Sequence, residues 1–232
     1  MRWAVVIAIL SCAASLPARA QDTAREGLLE DARLAPVRDR LATSIDAARL
    51  EALPAEWLLD KVAEGLSKRV PPPRIAAAVE TLLERIRVAD ALVQPAVVGP
   101  TAGRRRLLRA AVDALAAGAP REPLGRLIRE VARGDRGGAA ERAHEALTTV
   151  AELGERQFGG AAAVEATREA HRRGERPSEL LRRARRIGRD PPGGRDGALR
   201  QLGRQGVPRS GVDERGGGRD HGRDGNPGRG HR

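Results

Sequence analysis

The chain has 232 residues, a formal net charge of +11, 31% charged residues and only 1% aromatic residues. Its length suits one domain of ordinary size or two small ones, and a single cysteine, Cys12, excludes a disulfide framework or a thiolate metal cluster within the chain. Nearly every cation is arginine, with Lys61 and Lys68 the two lysines, and the same bias toward Ala, Gly, Arg and Pro follows from GC-rich codons, so arginine content alone is no sign of nucleic-acid binding.

In chain order, the first element is an export signal. Arg2, the apolar run from Trp3 to Leu10, the helix-breaking Pro17 and the small-residue triplet Ala18-Arg19-Ala20 predict a secretory signal over 1–20, cleaved after Ala20. The apolar run is shorter than the roughly 20 residues that cross a bilayer, and no later segment comes closer, so no transmembrane segment is expected in the mature chain. The expected location is therefore secreted or periplasmic. The alternative is a lipoprotein box, Ile9-Leu10-Ser11-Cys12, with Cys12 acylated and anchored.

The mature chain reads as all-α. Leu34, Val37, Leu41, Ile45 and Ala48 make one stripe at spacings of three and four, and Ile75, Val79, Leu82, Leu83 and Ile86 make another. Alternating strand patterns are missing. Helices are predicted over 24–51 with a break near Ala35-Pro36, then 55–67, 73–92, 103–117, 121–133, 139–153, 160–173 and 178–187. Such amphipathic hairpins pack as a bundle or as a short irregular solenoid.

Val70-Pro71-Pro72-Pro73 is a rigid break, and the stretch from Gln94 to Gly103 separates an N-terminal helical subdomain, 21–98, from an Ala/Arg-rich one, 99–187. The second half carries fewer large apolar residues, which predicts an alanine-filled, weaker core. A short pattern, Pro-x-Glu-x-Leu, begins at Pro54, Pro120 and Pro177. Proline at a helix start and glutamate in its first turn suit the unpaired N–H groups and the dipole there. Three copies suggest either a degenerate repeat or reuse of a good helix start. From Gly188 to the end, Gly, Arg, Asp and Pro dominate, and the composition predicts a disordered basic tail, 188–232.

Charge is distributed unevenly. Residues 21–170 hold 23 cations and 23 acids, whereas 171–232 hold 17 arginines against 8 acids. Such asymmetry points to a basic end that meets an anionic surface. The densest cluster is Arg172, Arg173, Arg176, Arg182, Arg183, Arg185 and Arg186, each able to grip phosphate or carboxylate with two hydrogen bonds. No aromatic residue accompanies it, which argues against base stacking and sequence-specific nucleic-acid recognition.

Catalytic signals are sparse. His144, His171, His221 and His231 form no metal-binding spacing, and Ser44, Ser67, Ser178 and Ser210 sit in no nucleophile elbow. Acidic pairs such as Glu141 and Glu145, or Glu165 and Glu169, share a helix face as solvated charges do. Lys61 and Lys68 are expected to extend their ammonium groups to water. Trp57 is the one tryptophan of the mature chain, a core anchor or else a partner-binding residue.

No cofactor or metal is implied. The expected function is an exported, non-enzymatic helical interaction or scaffold protein with an unknown protein partner and a basic end contacting an anionic envelope component or polyanion. Alternatives are an extracytoplasmic holdase-type chaperone and an enzyme with an acidic site that no motif betrays.

Overall fold

The computed structural model describes residues 27–94, 101–133, 138–187 and 194–205. The signal segment 1–20, with Cys12 and Ala20, lies outside them, as do 188–193 and 206–232 of the expected tail. Within the described residues the secondary structure is helical, without strands. Two 3-10 turns, Gly27–Glu30 and Ala32–Val37, lead into α1 (Arg38–Leu50), followed by α2 (Ala55–Ser67), α3 (Pro72–Val93), α4 (Thr101–Ala116) and α5 (Arg121–Ala132). Then come α6 (Ala139–Glu155), α7 (Gly160–Arg172), α8 (Pro177–Ala184) and α9 (Gly194–Gln205).

The predicted helix over 24–51 thus becomes an α-helix only from Arg38. Pro36 lacks the N–H that an α-turn needs, and the preceding stretch is wound as 3-10, started by the Asp31 carboxylate accepting from the Arg33 N–H at 2.9 Å. Residues 194–205 correct the expectation of disorder from Gly188 onward. They form α9, which packs along α7 and touches α8, with Leu199 fully buried.

Five of the helix junctions share one backbone device. A residue in the left-handed region ends the helix: Ala52 (φ 53°), Arg69 (φ 54°), Gly118 (φ 85°), Gln157 (φ 64°) or Gly174 (φ 69°). The next residue donates its N–H back over five positions, as Leu53 does to the Ala48 carbonyl at 2.8 Å, Ala119 to Ala114 at 3.1 Å and Phe158 to Leu153 at 3.2 Å. One further residue precedes the next helix: Pro71, Pro120, Gly159 and Arg176 are extended there, whereas Pro54 makes a tight turn in which the Ala55 N–H donates to the Leu53 carbonyl at 2.8 Å. This turn, rather than Pro-x-Glu-x-Leu, is what recurs. Pro54 and Pro120 precede the first helical residue, whereas Pro177 is already within α8, so the third copy of the sequence pattern is out of register by one. Its buried leucine is accordingly Leu180 and not Leu181.

Every pair of α-helices in extensive contact is one or two positions apart along the chain. The odd helices stack as α1 on α3, α3 on α5, α5 on α7 and α7 on α9, while α4 packs on α6 and α6 on α8. Among the described residues this is the neighbour-only packing of a short helical array, with no extensive contact between its first and last helices. One hydrophobic cluster runs from Leu34 to Leu199 across both predicted subdomains.

The core of the second half is rich in alanine, as expected, with Ala110, Ala111, Ala114, Ala143, Ala163 and Ala166 among its buried residues, yet it also holds large side chains. Leu107, Leu124, Leu127, Ile128, Leu147 and Leu153 are as fully buried as Leu34, Leu41, Ile45, Leu58, Ile75 and Ile86. Alanine and glycine there let backbones approach closely. A β-carbon at Gly160 would collide with the Gly118 carbonyl, and one at Gly203 would stand 3.0 Å from the Ala166 Cα. No helix among the described residues is long and apolar enough to cross a membrane.

Candidate functional site

The arginine cluster resolves into two populations. Arg172, Arg173 and Arg183 are engaged within the fold. Arg172 and Arg168 on α7 both donate to Glu130 on α5, through their Nε atoms at 2.6 and 2.8 Å. Burial pushes the Glu130 carboxyl up, but the hydrogen bonds from Arg172 and Arg168 outweigh that and hold it below its ordinary value. Arg173 pairs with Glu169 at 3.3 Å and Glu175 at 3.2 Å. Arg183 pairs with Glu175 and donates from Nη1 to the Leu202 carbonyl of α9 at 3.2 Å.

Glu175 occupies the position that Leu53, Val70, Ala119 and Phe158 fill in the other four turns, where an apolar side chain plugs the junction. Its side chain is only 3% exposed, between the guanidinium groups of Arg173 and Arg183. A buried carboxylate is tolerable only when paired in this way. Beside it, α6, α7 and α8 enclose a cleft of about 220 Å³ whose rim includes Arg142, Glu145, His171 and Arg176.

The second population faces water. Arg176, Arg182, Arg185 and Arg186 are exposed, and Arg182 has a loose contact with Glu179 at 3.9 Å. Two further members of this group are not evident from the sequence. Arg200 and Arg204, four residues apart on α9, are exposed and flank the face that carries Leu199 and Gly203. Among the described residues Arg176, Arg185, Arg186, Arg200 and Arg204 form no ion pair. Leu199 and Leu202, three apart, are the signal that could have identified α9, although three glycines within it obscure the pattern.

The other residues singled out from the sequence are spread over the array. Trp57 is half-buried on α2 against the core, and the Arg109 guanidinium of α4 lies 5.2 Å from its ring centroid. Lys61 and Lys68 both pair with Glu64, at 2.8 and 2.6 Å, and hold its carboxyl down to about 2. Ser44 and Ser67 donate to carbonyls of their own helices, those of Arg40 and Glu64. His144 lies on α6 and His171 at the end of α7, while His221, His231 and Ser210 fall outside the described residues. A second cleft, about 550 Å³, opens beside the Leu53-Pro54 turn, bordered by Glu56, Asp90, Arg104 and Arg105. Those four are joined in pairs, Arg104 to Asp90 at 2.6 Å and Arg105 to Glu56. No group of three or more His, Cys, Asp or Glu able to hold a metal occurs among the described residues.

Chemically, the C-terminal end of the array offers guanidinium groups to an anion, held on two packed helices. No protein-family model matches the chain, and no curated protein or solved structure is significantly similar to it.

Proposed function

We propose that this is an exported, non-enzymatic helical interaction protein whose body packs against a protein partner and whose basic C-terminal end meets an anionic envelope component or polyanion. The observation that carries the second part is the set of exposed guanidiniums at that end, Arg176, Arg182, Arg185 and Arg186, beside a body whose cations and acids balance. Export rests on Arg2, the apolar run Trp3 to Leu10 and Ala18-Arg19-Ala20.

The neighbour-only helix packing supports the interaction role, because arrays of this kind offer long surfaces to partners. An apolar client-binding face has less support: the one large hydrophobic strongly exposed among the described residues is Leu50, at 88%. The test is binding of the intact chain to heparin and to anionic vesicles over a salt series, beside Arg182→Glu/Arg185→Glu/Arg186→Glu. Binding that weakens steeply with salt and is strongly reduced in the triple variant is expected. Absence of binding near physiological salt would overturn the anionic contact.

A further inference from the structure

The proposed anionic contact leaves open whether the folded helices or the Gly/Arg-rich residues beyond them make it, and on what kind of ligand. We propose that the contact is a folded two-helix face, built by α8 and α9 together, and that it seats on an anionic lipid surface. This rests on the functional reading above and narrows it.

The face has two contributors. Helix α8 and its C-terminal end present Arg182, Arg185 and Arg186, and α9 presents Arg200 and Arg204, all exposed. The two helices pack against each other, and Arg183 ties them by donating to the Leu202 carbonyl. Helix α9 is seated on the body at several points. Leu199 is fully buried, Gly203 lies against Ala166, Asp196 accepts from the Gly159 N–H at 2.6 Å, and Arg195 stacks on the Phe158 ring at 4.8 Å. The arginines of α9 are therefore held in place relative to those of α8. The acids of these helices are already occupied, Glu179 facing Arg182 and Asp196 capping α7.

The form of the patch favours a surface over a strand. Its members lie on the outer faces of two adjoining helices, and Arg182, Arg185, Arg186, Arg200 and Arg204 line neither cleft described above. No aromatic side chain stands among them to stack a base. The patch also lacks an exposed large apolar residue to insert, so adsorption is electrostatic and reversible, with guanidiniums on lipid phosphates. A basic residue close to an anionic leaflet contributes roughly a five-fold gain in partitioning.

The experiment measures co-sedimentation with phosphatidylglycerol-containing vesicles, with pure phosphatidylcholine vesicles and heparin beads as separate arms. It compares the full chain, a chain ending at Gln205, Arg200→Ala/Arg204→Ala, and Leu199→Ser, which frees α9 without changing charge. Expected are near-full binding by the chain ending at Gln205, a loss of roughly 25-fold in the double variant, and a clear loss in Leu199→Ser. Circular dichroism reports whether each variant keeps its helices; should the double variant not, Leu199→Ser decides. Loss of vesicle binding on removing 206–232, or undiminished binding by Leu199→Ser, overturns the folded face while the broader functional reading stands. Capture by heparin without capture by anionic vesicles overturns the lipid assignment. A full chain that binds neither removes the broader reading as well.

Discussion

Asp196 on α9 accepts a hydrogen bond from the backbone N–H of Gly159 at 2.6 Å, reaching across 37 positions of sequence to the residue that precedes α7. Glycine has no side chain to satisfy the free N–H groups of that helix start, and a carboxylate there also complements the positive end of the helix dipole. The last helix thus supplies a cap that α7 does not provide for itself.

Replacing Asp196 with Ala is expected to cost about 1–2 kcal/mol, the range for losing a helix cap, and to free α9 before the rest melts. Limited proteolysis should then cut within 188–205 sooner than in the parent, and Asp196→Asn should recover part of the protection. Equal cleavage rates in Asp196→Ala and the parent would sink the idea.

Gly160 and Gly197 should respond oppositely to alanine. At Gly160 the added carbon meets the Gly118 carbonyl, backbone that cannot swing away, so Gly160→Ala is expected to lose about 2–4 kcal/mol. At Gly197, on α9, nothing lies within 4 Å of an added β-carbon, and alanine should gain up to about 1 kcal/mol from helix propensity. Chemical denaturation midpoints of the two variants decide this.

Gln157 ends α6 with φ 64°, a conformation that costs an L-residue about 1–2 kcal/mol and glycine almost nothing. Gln157→Gly is expected to raise the thermal midpoint by a few degrees. The exposed Gln157 side chain has little packing to lose.

Glu175 should be costly to remove alone. Glu175→Gln leaves Arg173 and Arg183 without their shared carboxylate, a loss of about 2–4 kcal/mol, moderated by the partial exposure of both arginines at 24% and 16%. Exchanging all three for Glu175→Leu, Arg173→Leu and Arg183→Met restores the apolar plug of the other turns and should return stability close to the parent. A triple variant no better than Glu175→Gln would show that the ions stabilise in their own right.

Acid should weaken the α5–α7 contact. The folded state holds Glu130 below its ordinary value of 4.5, so it stays ionised there when the unfolded chain has begun to take up protons. Its contribution is fully present above that value and is lost as pH falls through the lower folded one. Glu130→Gln should flatten this part of the stability profile, measured by urea unfolding from pH 6 down to pH 3.

Apart from the first span, where Pro36 delays the α-helix to Arg38, the expected helices up to Ala184 were legible from periodicity to within a few residues. The predicted span 55–67 coincides with α2, and 160–173 with α7 to within one residue. What was hidden depends on distance along the chain. Helix α9 looks like tail because its glycines outweigh Leu199 and Leu202, and only Ala166 on α7 explains why a glycine belongs at 203. Likewise, nothing near Arg172 in sequence reveals Glu130, 42 positions earlier, so a cluster of seven arginines reads as one patch although Arg172, Arg173 and Arg183 are tied to carboxylates of the fold. Ala52, Arg69 and Gln157 conceal the shared turn because they carry none of the glycine signature that Gly118 and Gly174 show.

Because each α-helix in extensive contact meets partners no more than two places away, the chain has low contact order, and low contact order goes with rapid folding. An early pair such as α2 and α3 can consolidate without waiting for the C-terminus, and each later helix has a finished surface on which to condense. If the proposed export holds, a polypeptide that emerges from its N-terminus can assemble in this way as it appears, each new helix docking on one already in place.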